Sequence, residues 1–166
     1  MRKSGPNKPD PPNRSAYGRA VKLLARSPRT EKELEKRLAK EGFEQTDIRE
    51  AMQKLKHQSW LDDRQLAQSW LEIRAASSPV GPAWARGYLG QRGVPAETAN
   101  EVISAFFEEH PELESALKLA ASWFRTHPEG TREQLLRFLA RRGFSTGACL
   151  DAVEAFSDRQ GFHEAM

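Results

Sequence analysis

Three glycines spaced about 50 residues apart constrain this chain more than any other feature of its sequence. Gly42, Gly93 and Gly143 are separated by 51 and 50 residues. Each glycine follows a leucine by four residues and precedes a large apolar residue, in the segments 38–43, 89–94 and 139–144. Apolar residues also recur nine and twelve positions after that large apolar residue. A register kept over three copies indicates tandem repeats of one structural unit.

Each copy is predicted to contain three helices, because apolar residues recur at intervals of three and four and no alternating strand pattern appears. Thr30 with Glu33, and Thr131 with Gln134, have the spacing of a capping box at the start of the second helix. A glycine in the left-handed conformation would end that helix. The inward side chains of the first and third helices are predicted to include Tyr17, Val21, Leu24, Ile48, Met52 and Leu55 in the first copy, Leu66, Trp70, Ile73, Thr98, Val102, Ile103 and Phe106 in the second, and Leu113, Leu117, Ala120, Phe124, Leu150, Val153 and Phe156 in the third.

The predicted fold is therefore all-α, with three tandem three-helix repeats forming an elongated, curved array. The repeats are expected to span residues 16–59, 60–109 and 110–166. Residues 1–15 contain four prolines and almost no apolar side chains, so they are expected to form a flexible, basic, Pro-rich arm. An array of this kind offers a long surface that suits binding along another extended molecule.

Charge is divided along the chain rather than spread evenly. The formal net charge of +3 is carried by residues 1–15, while the three repeats carry +4, −3 and −1 in turn. A purely electrostatic DNA-binding protein would be more basic than this. No apolar run is long enough to cross a membrane, no secretory signal is visible, and Cys149 is the single cysteine. We expect a cytoplasmic protein without disulfides.

A search for catalytic chemistry finds no constellation that favours an enzyme. The four histidines lack metal-ligand spacing, and no phosphate-binding glycine loop is present. Cys149 is interpreted as a small core residue, since it aligns with core positions of the other repeats. Asp62 and Asp63 could bind a metal, but acidic residues that open a helix more often cap its free N–H groups. We expect no metal, no cofactor and no enzymatic activity.

Aromatic and basic residues are the remaining candidates for binding. Trp70 is assigned to the core, whereas Trp60 and Trp84 flank helix starts and are expected to be partly exposed, where they could stack on bases. Basic residues recur on the second helix of each repeat and would align into one stripe for a phosphate backbone or an acidic partner. This stripe comprises Lys36, Arg37, Lys40, Arg86, Arg92, Arg137, Arg141 and Arg142.

One stretch of the chain resembles the central region of the RecX regulatory proteins. The matching residues are Leu61, Asp62, Asp63, Arg64, Gln65, Leu66, Ala67, Arg74, Gly81, Pro82, Arg86, Leu89, Arg92, Gly93 and Val94, with residues 29–34, Leu38, Gly42 and Phe43 resembling the opening segment. The resemblance covers about residues 17–158. Leu66, where the family often has phenylalanine, and Gly87, inside a predicted helix, depart from it.

The resemblance implies a modulator of the RecA recombinase. Such a protein would bind the RecA filament on single-stranded DNA, lie in its helical groove, and inhibit its recombinase, ATPase and co-protease activities without a catalytic site of its own. Arg74 joins the candidate contact residues on this basis. A monomer is expected, with a weak direct contact to the DNA backbone.

Two other functions remain open from the residues alone. Three-helix units can act as helix-turn-helix readers of DNA, but the third helices open with Thr46-Asp47, Pro95-Ala96 and Ser145-Thr146, which do not favour base reading. A direct, non-specific DNA-binding protein is one alternative. A helical scaffold for an unrelated protein partner is the other.

Overall fold

The computed structural model describes residues 15–160 and contains nine helices and no strand within that range. The helices are α1 (Ala16–Arg26), α2 (Glu31–Lys40), α3 (Gln45–His57), α4 (Asp63–Ser77), α5 (Pro82–Gln91), α6 (Ala96–Glu109), α7 (Glu112–Thr126), α8 (Arg132–Arg141) and α9 (Thr146–Gln160). The all-α, three-helix prediction is confirmed. The predicted arm lies outside the described residues except for Ser15, whose hydroxyl accepts a hydrogen bond from the Gly18 N–H and caps α1.

Each group of three helices encloses its own hydrophobic cluster. Fully buried residues of these clusters include Leu34, Leu38 and Leu55 in α1–α3, Ala67, Ala85 and Leu89 in α4–α6, and Leu135, Leu139 and Val153 in α7–α9. The chain divides into two compact units, Met1–Asp63 and Arg64–Met166, and the second unit holds two of the three clusters. In the described residues, no helix is long and apolar enough to cross a membrane.

Capping boxes start the second helix of the first and third repeats, as predicted. The Thr30 hydroxyl accepts from the Glu33 N–H at 3.1 Å, and the Glu33 carboxylate accepts from the Thr30 N–H at 3.2 Å. Thr131 and Gln134 exchange the same two hydrogen bonds at the start of α8. These bonds satisfy N–H groups that have no partner inside the helix.

The three repeated glycines end α2, α5 and α8 in the same way. Their φ angles are +88°, +85° and +81° in chain order, in the left-handed region that favours glycine. In each case the N–H of the following apolar residue returns to the leucine carbonyl five positions earlier, over 3.0–3.4 Å. Such a turn satisfies free carbonyls at the helix end and directs the next side chain against the core. The role predicted for these glycines is confirmed.

The inward faces of several helices differ from the prediction by one residue. Ile73, Leu113 and Leu150 were expected in the core, but they are exposed to 66%, 37% and 45%. In α1 the buried residues are Ala16, Ala20 and Leu23, while the predicted Tyr17, Val21 and Leu24 are only partly buried. Buried alanines four residues apart thus form part of the inward face of α1 and of α7. Tyr17, Val21 and Leu24 pack against the edge of the first cluster instead.

The first helices of the repeats share one inward stripe. Its members are Ala16, Ala20 and Leu23 in α1, Ala67, Leu71 and Arg74 in α4, and Ala116, Ala120 and Trp123 in α7. Leu23 and Trp123 are buried at the third position of this stripe. Arg74 occupies the same position in the second repeat, where an apolar side chain would be expected.

Helix α5 offers a direct test of local helix stability. Gly87 is exposed, and a Cβ at this position would have nothing within 4 Å. We expect Gly87→Ala to raise the free energy of unfolding by roughly 0.5–1 kcal/mol, since interior glycine carries an entropic cost of that size. Leu89→Ala, in the fully buried position two residues later, should lower it by roughly 2–5 kcal/mol. Urea denaturation measures both, and an unchanged midpoint for Gly87→Ala would contradict the prediction.

Candidate partner-binding surface

The basic residues of the first unit lie on the exposed side of α2. Lys36, Arg37 and Lys40 are all exposed. Arg37 pairs with Glu41 at 2.8 Å, and the same carboxylate receives two hydrogen bonds from Arg19 at 2.6 and 2.7 Å. The Arg19 guanidinium is the main reason why the pKa of Glu41 falls to about 2, with Arg37 contributing in the same direction. Of the three predicted contact residues, Arg37 is therefore already partly neutralised.

The residue before the repeated glycine binds the first helix of its own repeat in the first and second repeats. Glu41 pairs with Arg19 in the first repeat. In the second repeat, Arg92 lies over the ring of Trp70, 4.1 Å from its centroid. Trp70 is the counterpart of Arg19, 51 residues later, so an ion pair in one repeat is replaced by a cation–π contact in the next. Arg92 therefore helps to hold α5 against α4.

The stripe predicted across all repeats is interrupted at α5. Positions equivalent to Lys36 and Arg137 carry Gly87 in the second repeat, and those equivalent to Lys40 and Arg141 carry Gln91. Arg86, one position before Gly87, is exposed, and its Nε donates to the Asn100 side-chain oxygen at 3.0 Å. Basic side chains thus occur on all three second helices, but in the second repeat they do not occupy the positions equivalent to those in the first and third.

Three aromatic rings contact one another on the second repeat, with a guanidinium group at each end of the row. Trp84 and Tyr88 are stacked, with centroids 5.0 Å apart, and Tyr88 meets Trp70 edge to face at 5.8 Å. The stack carries Arg92 over Trp70 at one end and Arg74 over Trp84, at 4.8 Å, at the other. All three rings are partly exposed. Trp84 was expected to be partly exposed, and it is; Trp70 packs against the edge of the cluster.

The start of α5, in the second repeat, contacts the end of α8, in the third repeat. The N–H of Gly81 donates to the Arg142 carbonyl at 2.8 Å, and the N–H of Ala83 donates to the Gly143 carbonyl at 3.1 Å. The first turn of α5 has free N–H groups, whereas the last turn of α8 has free carbonyls. The N–H groups of one end therefore satisfy the carbonyls of the other, and the opposite partial charges of the two helix ends favour the same contact.

Glycine is required on both sides of this junction. A Cβ on Gly81 would overlap the carbonyl of Gly143, and a Cβ on Gly143 would overlap the backbone of Trp84. Gly81 occupies the repeat position that Thr30 and Thr131 hold as caps in the other repeats. In the second repeat, the carbonyls of α8 replace the missing threonine hydroxyl. This substitution fixes the second and third repeats together.

The arginines of α8 fall into two groups. Arg137 and Arg141 are exposed on the helix, one turn apart. Arg142 is only partly exposed, and its Nη1 donates to the Ser78 hydroxyl at 2.7 Å across the junction. The predicted contact residues Arg137 and Arg141 are thus available to a partner, while Arg142 also has a structural role that sequence reasoning missed.

The other candidates for chemistry have structural roles. Asp63 was expected to cap its own helix, but its carboxylate accepts a hydrogen bond from the Glu31 N–H at 2.9 Å and so caps α2. Burial raises the pKa of Asp63. Cys149 is buried, as predicted, and burial together with the nearby Glu112 raises the pKa of its thiol. Among the side chains that the structure describes, those of residues 15–156, no group of three His, Cys, Asp or Glu could hold a metal ion. Trp60 is exposed to 51%.

Comparison with known proteins identifies similar sequences over most of the chain. Residues 16–55 match the model of the first three-helix domain of RecX, and residues 62–103 match that of the second. The regulatory protein RecX of Treponema pallidum is 37% identical over 126 residues, which cover 76% of each chain. RecX of Thermus thermophilus is 34% identical and RecX of Chlorobaculum tepidum is 32% identical, over 82% and 84% of this chain and 89% and 87% of theirs.

Solved structures share the fold. The crystal structure of RecX from Lactobacillus salivarius superposes with a TM-score of 0.77 and 20% identity, covering 86% of this chain and 94% of the other. A second crystal structure of a regulatory protein RecX gives a TM-score of 0.72 and 24% identity, covering 84% and 70%. At these identities the superpositions support the helical architecture.

The helix-end contact predicts that Gly81→Ala will loosen the junction. Its φ of −86° suits any residue, so the whole effect comes from the overlap with Gly143. We expect the free energy of unfolding to fall by roughly 1–3 kcal/mol, a usual cost of overpacking. Hydrogen exchange at the Ala83 amide should accelerate. Gly90→Ala, with open space around its Cβ, is the control. Unchanged exchange at Ala83 would show that the contact does not hold the repeats together.

The ion pairs of Glu41 predict how stability depends on pH. The folded pKa of about 2 lies below the ordinary value of 4.5, so the stabilisation is complete above pH 4.5 and is lost as the pH falls towards 2. Glu41→Gln should therefore lower the melting temperature at pH 7 but have almost no effect near pH 2. Thermal melts across this range, with exposed Glu44→Gln as the control, measure the difference. An equal deficit at every pH would contradict this assignment.

Proposed function

The chain belongs to the RecX family of regulatory proteins, and from this premise we propose that it binds the RecA filament on single-stranded DNA and restrains its activities. The supporting observation is the 37% identity to a regulatory protein RecX over 126 residues. Inhibition of the recombinase, ATPase and co-protease activities would follow from binding, because a ligand that favours one filament state shifts the population towards it. The relatives are named as regulatory proteins, and the proposed role requires no catalysis by this chain.

Exposed arginines supply the proposed contacts. On α8, Arg137 and Arg141 project from one helix with an axial rise of about 6 Å between them, from 1.5 Å per residue. On α2, Lys36 and Lys40 have the same spacing and exposure. A filament presents both acidic side chains and phosphates to such groups, and either would be attracted by them. We place Arg86 in the same set, with Arg74 and Arg142 treated below.

The filament proposal is consistent with the protein acting as a monomer in the cytoplasm. Each three-helix repeat encloses its own core, so no second copy is required to complete a core. Binding by several small contacts along one chain would resemble a multivalent interaction, in which each contact raises the effective concentration of the next. Modest individual contacts could therefore give firm binding overall.

RecA-dependent ATP hydrolysis on single-stranded DNA tests this function. We expect the protein to lower the hydrolysis rate at near-stoichiometric amounts. For the double variant Arg137→Glu, Arg141→Glu, we expect the concentration that gives half-maximal inhibition to rise at least about tenfold. A loss of about 1.4 kcal/mol in binding free energy corresponds to that factor. Arg125→Glu, an exposed arginine on α7, is the matched control. If saturating wild-type protein leaves hydrolysis and strand exchange unchanged, and no binding is seen by pull-down, the proposed function is wrong.

A further inference from the structure

The side chain of Arg74 occupies a position that the other repeats fill with core residues. Its counterparts on the inward stripe are Leu23, exposed to 4%, and Trp123, exposed to 8%. Its neighbour Ile73 points outwards with 66% exposure. Here the charged residue is partly buried and its apolar neighbour is exposed, the reverse of the usual preference. Such a local violation, kept in an otherwise regular fold, is typical of a functional site.

The partly buried guanidinium of Arg74 lacks the hydrogen-bond and ion-pair partners that usually accompany a charged group away from solvent. Its Nε is buried and has no hydrogen-bond acceptor among the described residues. Within the same residues, neither Arg74 nor Arg142 forms an ion pair with a carboxylate. The face of Trp84 offsets part of the cost, because a cation–π contact contributes about 0.5–2 kcal/mol. An uncompensated guanidinium favours the approach of an anion.

Arg74 and Arg142 lie at the same junction between the second and third repeats. The Ser78 N–H donates to the Arg74 carbonyl at 2.8 Å, and the Ser78 hydroxyl accepts from Arg142 at 2.7 Å. Trp84 carries the Arg74 guanidinium on its ring, while its backbone packs against Gly143. The Arg74 guanidinium thus lies on Trp84 near the start of α5, while the Arg142 guanidinium is bound to Ser78 one turn after Arg74, so both groups belong to this junction. The helix-end contact places them before any ligand arrives, which lowers the entropic cost of binding.

From this arrangement we propose that the junction is a binding site for the phosphodiester backbone of single-stranded DNA, with Arg74 and Arg142 as the phosphate ligands. Guanidinium groups bind phosphate through paired N–H donors of fixed geometry. The exposed Arg137 and Arg141 lie one turn apart on α8, the helix that ends at Arg142, and add positive charge near the junction. A nucleic acid strand supplies a line of single negative charges. The site deepens the proposed function, because filament DNA would supply these phosphates.

Anisotropy of a labelled oligothymidylate, titrated with the full chain in the absence of RecA, tests the site. Arg74→Gln and Arg142→Gln should each reduce the slope of log affinity against log salt by about 0.7 and weaken binding about fivefold at roughly 0.1 M salt. Arg74→Lys should keep the slope and lose affinity, because lysine retains the charge but not the paired donors. The control is Arg125→Gln, whose guanidinium contacts Ser122 of its own helix.

Several results would overturn the proposal. These are the absence of oligothymidylate binding by wild-type protein at low salt, unchanged slope and affinity in both glutamine variants, or an equal loss in Arg125→Gln. If Arg74→Gln abolishes the effect on RecA while wild-type protein fails to bind the oligonucleotide, the anion is a protein carboxylate and the phosphate site is wrong. Loss of oligonucleotide binding with normal RecA inhibition would instead support the site and separate it from the filament contact.

A measurement on wild-type protein keeps the test valid if a variant fails to fold. The Nε–H group of Arg74 has its own signal in arginine side-chain NMR spectra. Adding the unlabelled oligothymidylate should shift this signal, whereas that of Arg125 should stay in place. An Arg74 signal that does not move at saturating oligonucleotide would exclude phosphate binding at the junction.

Discussion

The left-handed glycine turn at the end of each second helix is the constraint on which the rest of the structure depends. A residue with a Cβ would lose about 1–2 kcal/mol in this conformation, so glycine is strongly preferred at all three positions. The turn returns the next N–H to a leucine carbonyl and points Phe43, Val94 or Phe144 at the core. The third helix then starts in a fixed direction. Because each turn closes its own small core, the architecture can repeat along the chain.

In the third repeat this same turn serves a second purpose. The carbonyls of Arg142 and Gly143 at the end of α8 receive the N–H groups of Gly81 and Ala83 at the start of α5. Threonine caps the equivalent helix start in both other repeats, and its side chain would occupy the space that Gly143 takes here. Hydrogen bonds to the carbonyls of α8 thus replace the capping hydroxyl and connect the second repeat to the third. The exchange conserves hydrogen bonds while converting a local cap into a tertiary contact.

Binding capacity arises at the positions where the repeats differ. Arg92 lies over the Trp70 ring, whereas the equivalent residues of the first repeat form an ion pair. Arg74 occupies a position of the inward stripe that is apolar in the other two repeats. These changes place one guanidinium group at each end of the aromatic stack, and Arg74 lies at the end next to the junction. If the three repeats were identical, every inward position would be apolar and would contribute to stability but not to binding of a charged partner. The positions at which one repeat differs from the other two therefore carry the candidate binding residues, in particular Arg74, which lies within the segment 62–103 that matches the second RecX domain.

Local chemistry made much of this fold predictable from sequence: the three-helix repeats, both capping boxes, the glycine turns and the burial of Cys149 depend on residues close along the chain. The exposed positions of Arg137 and Arg141 also follow from helical spacing. Tertiary structure alone decided which face of α4 turns inwards, because Ile73 and Arg74 are neighbours in sequence, and in the fold Arg74 lies over the Trp84 ring while Ile73 is exposed. It also decided the partners of Asp63 and Arg142, which lie 32 and 64 residues away, distances over which sequence periodicity carries no information about contact.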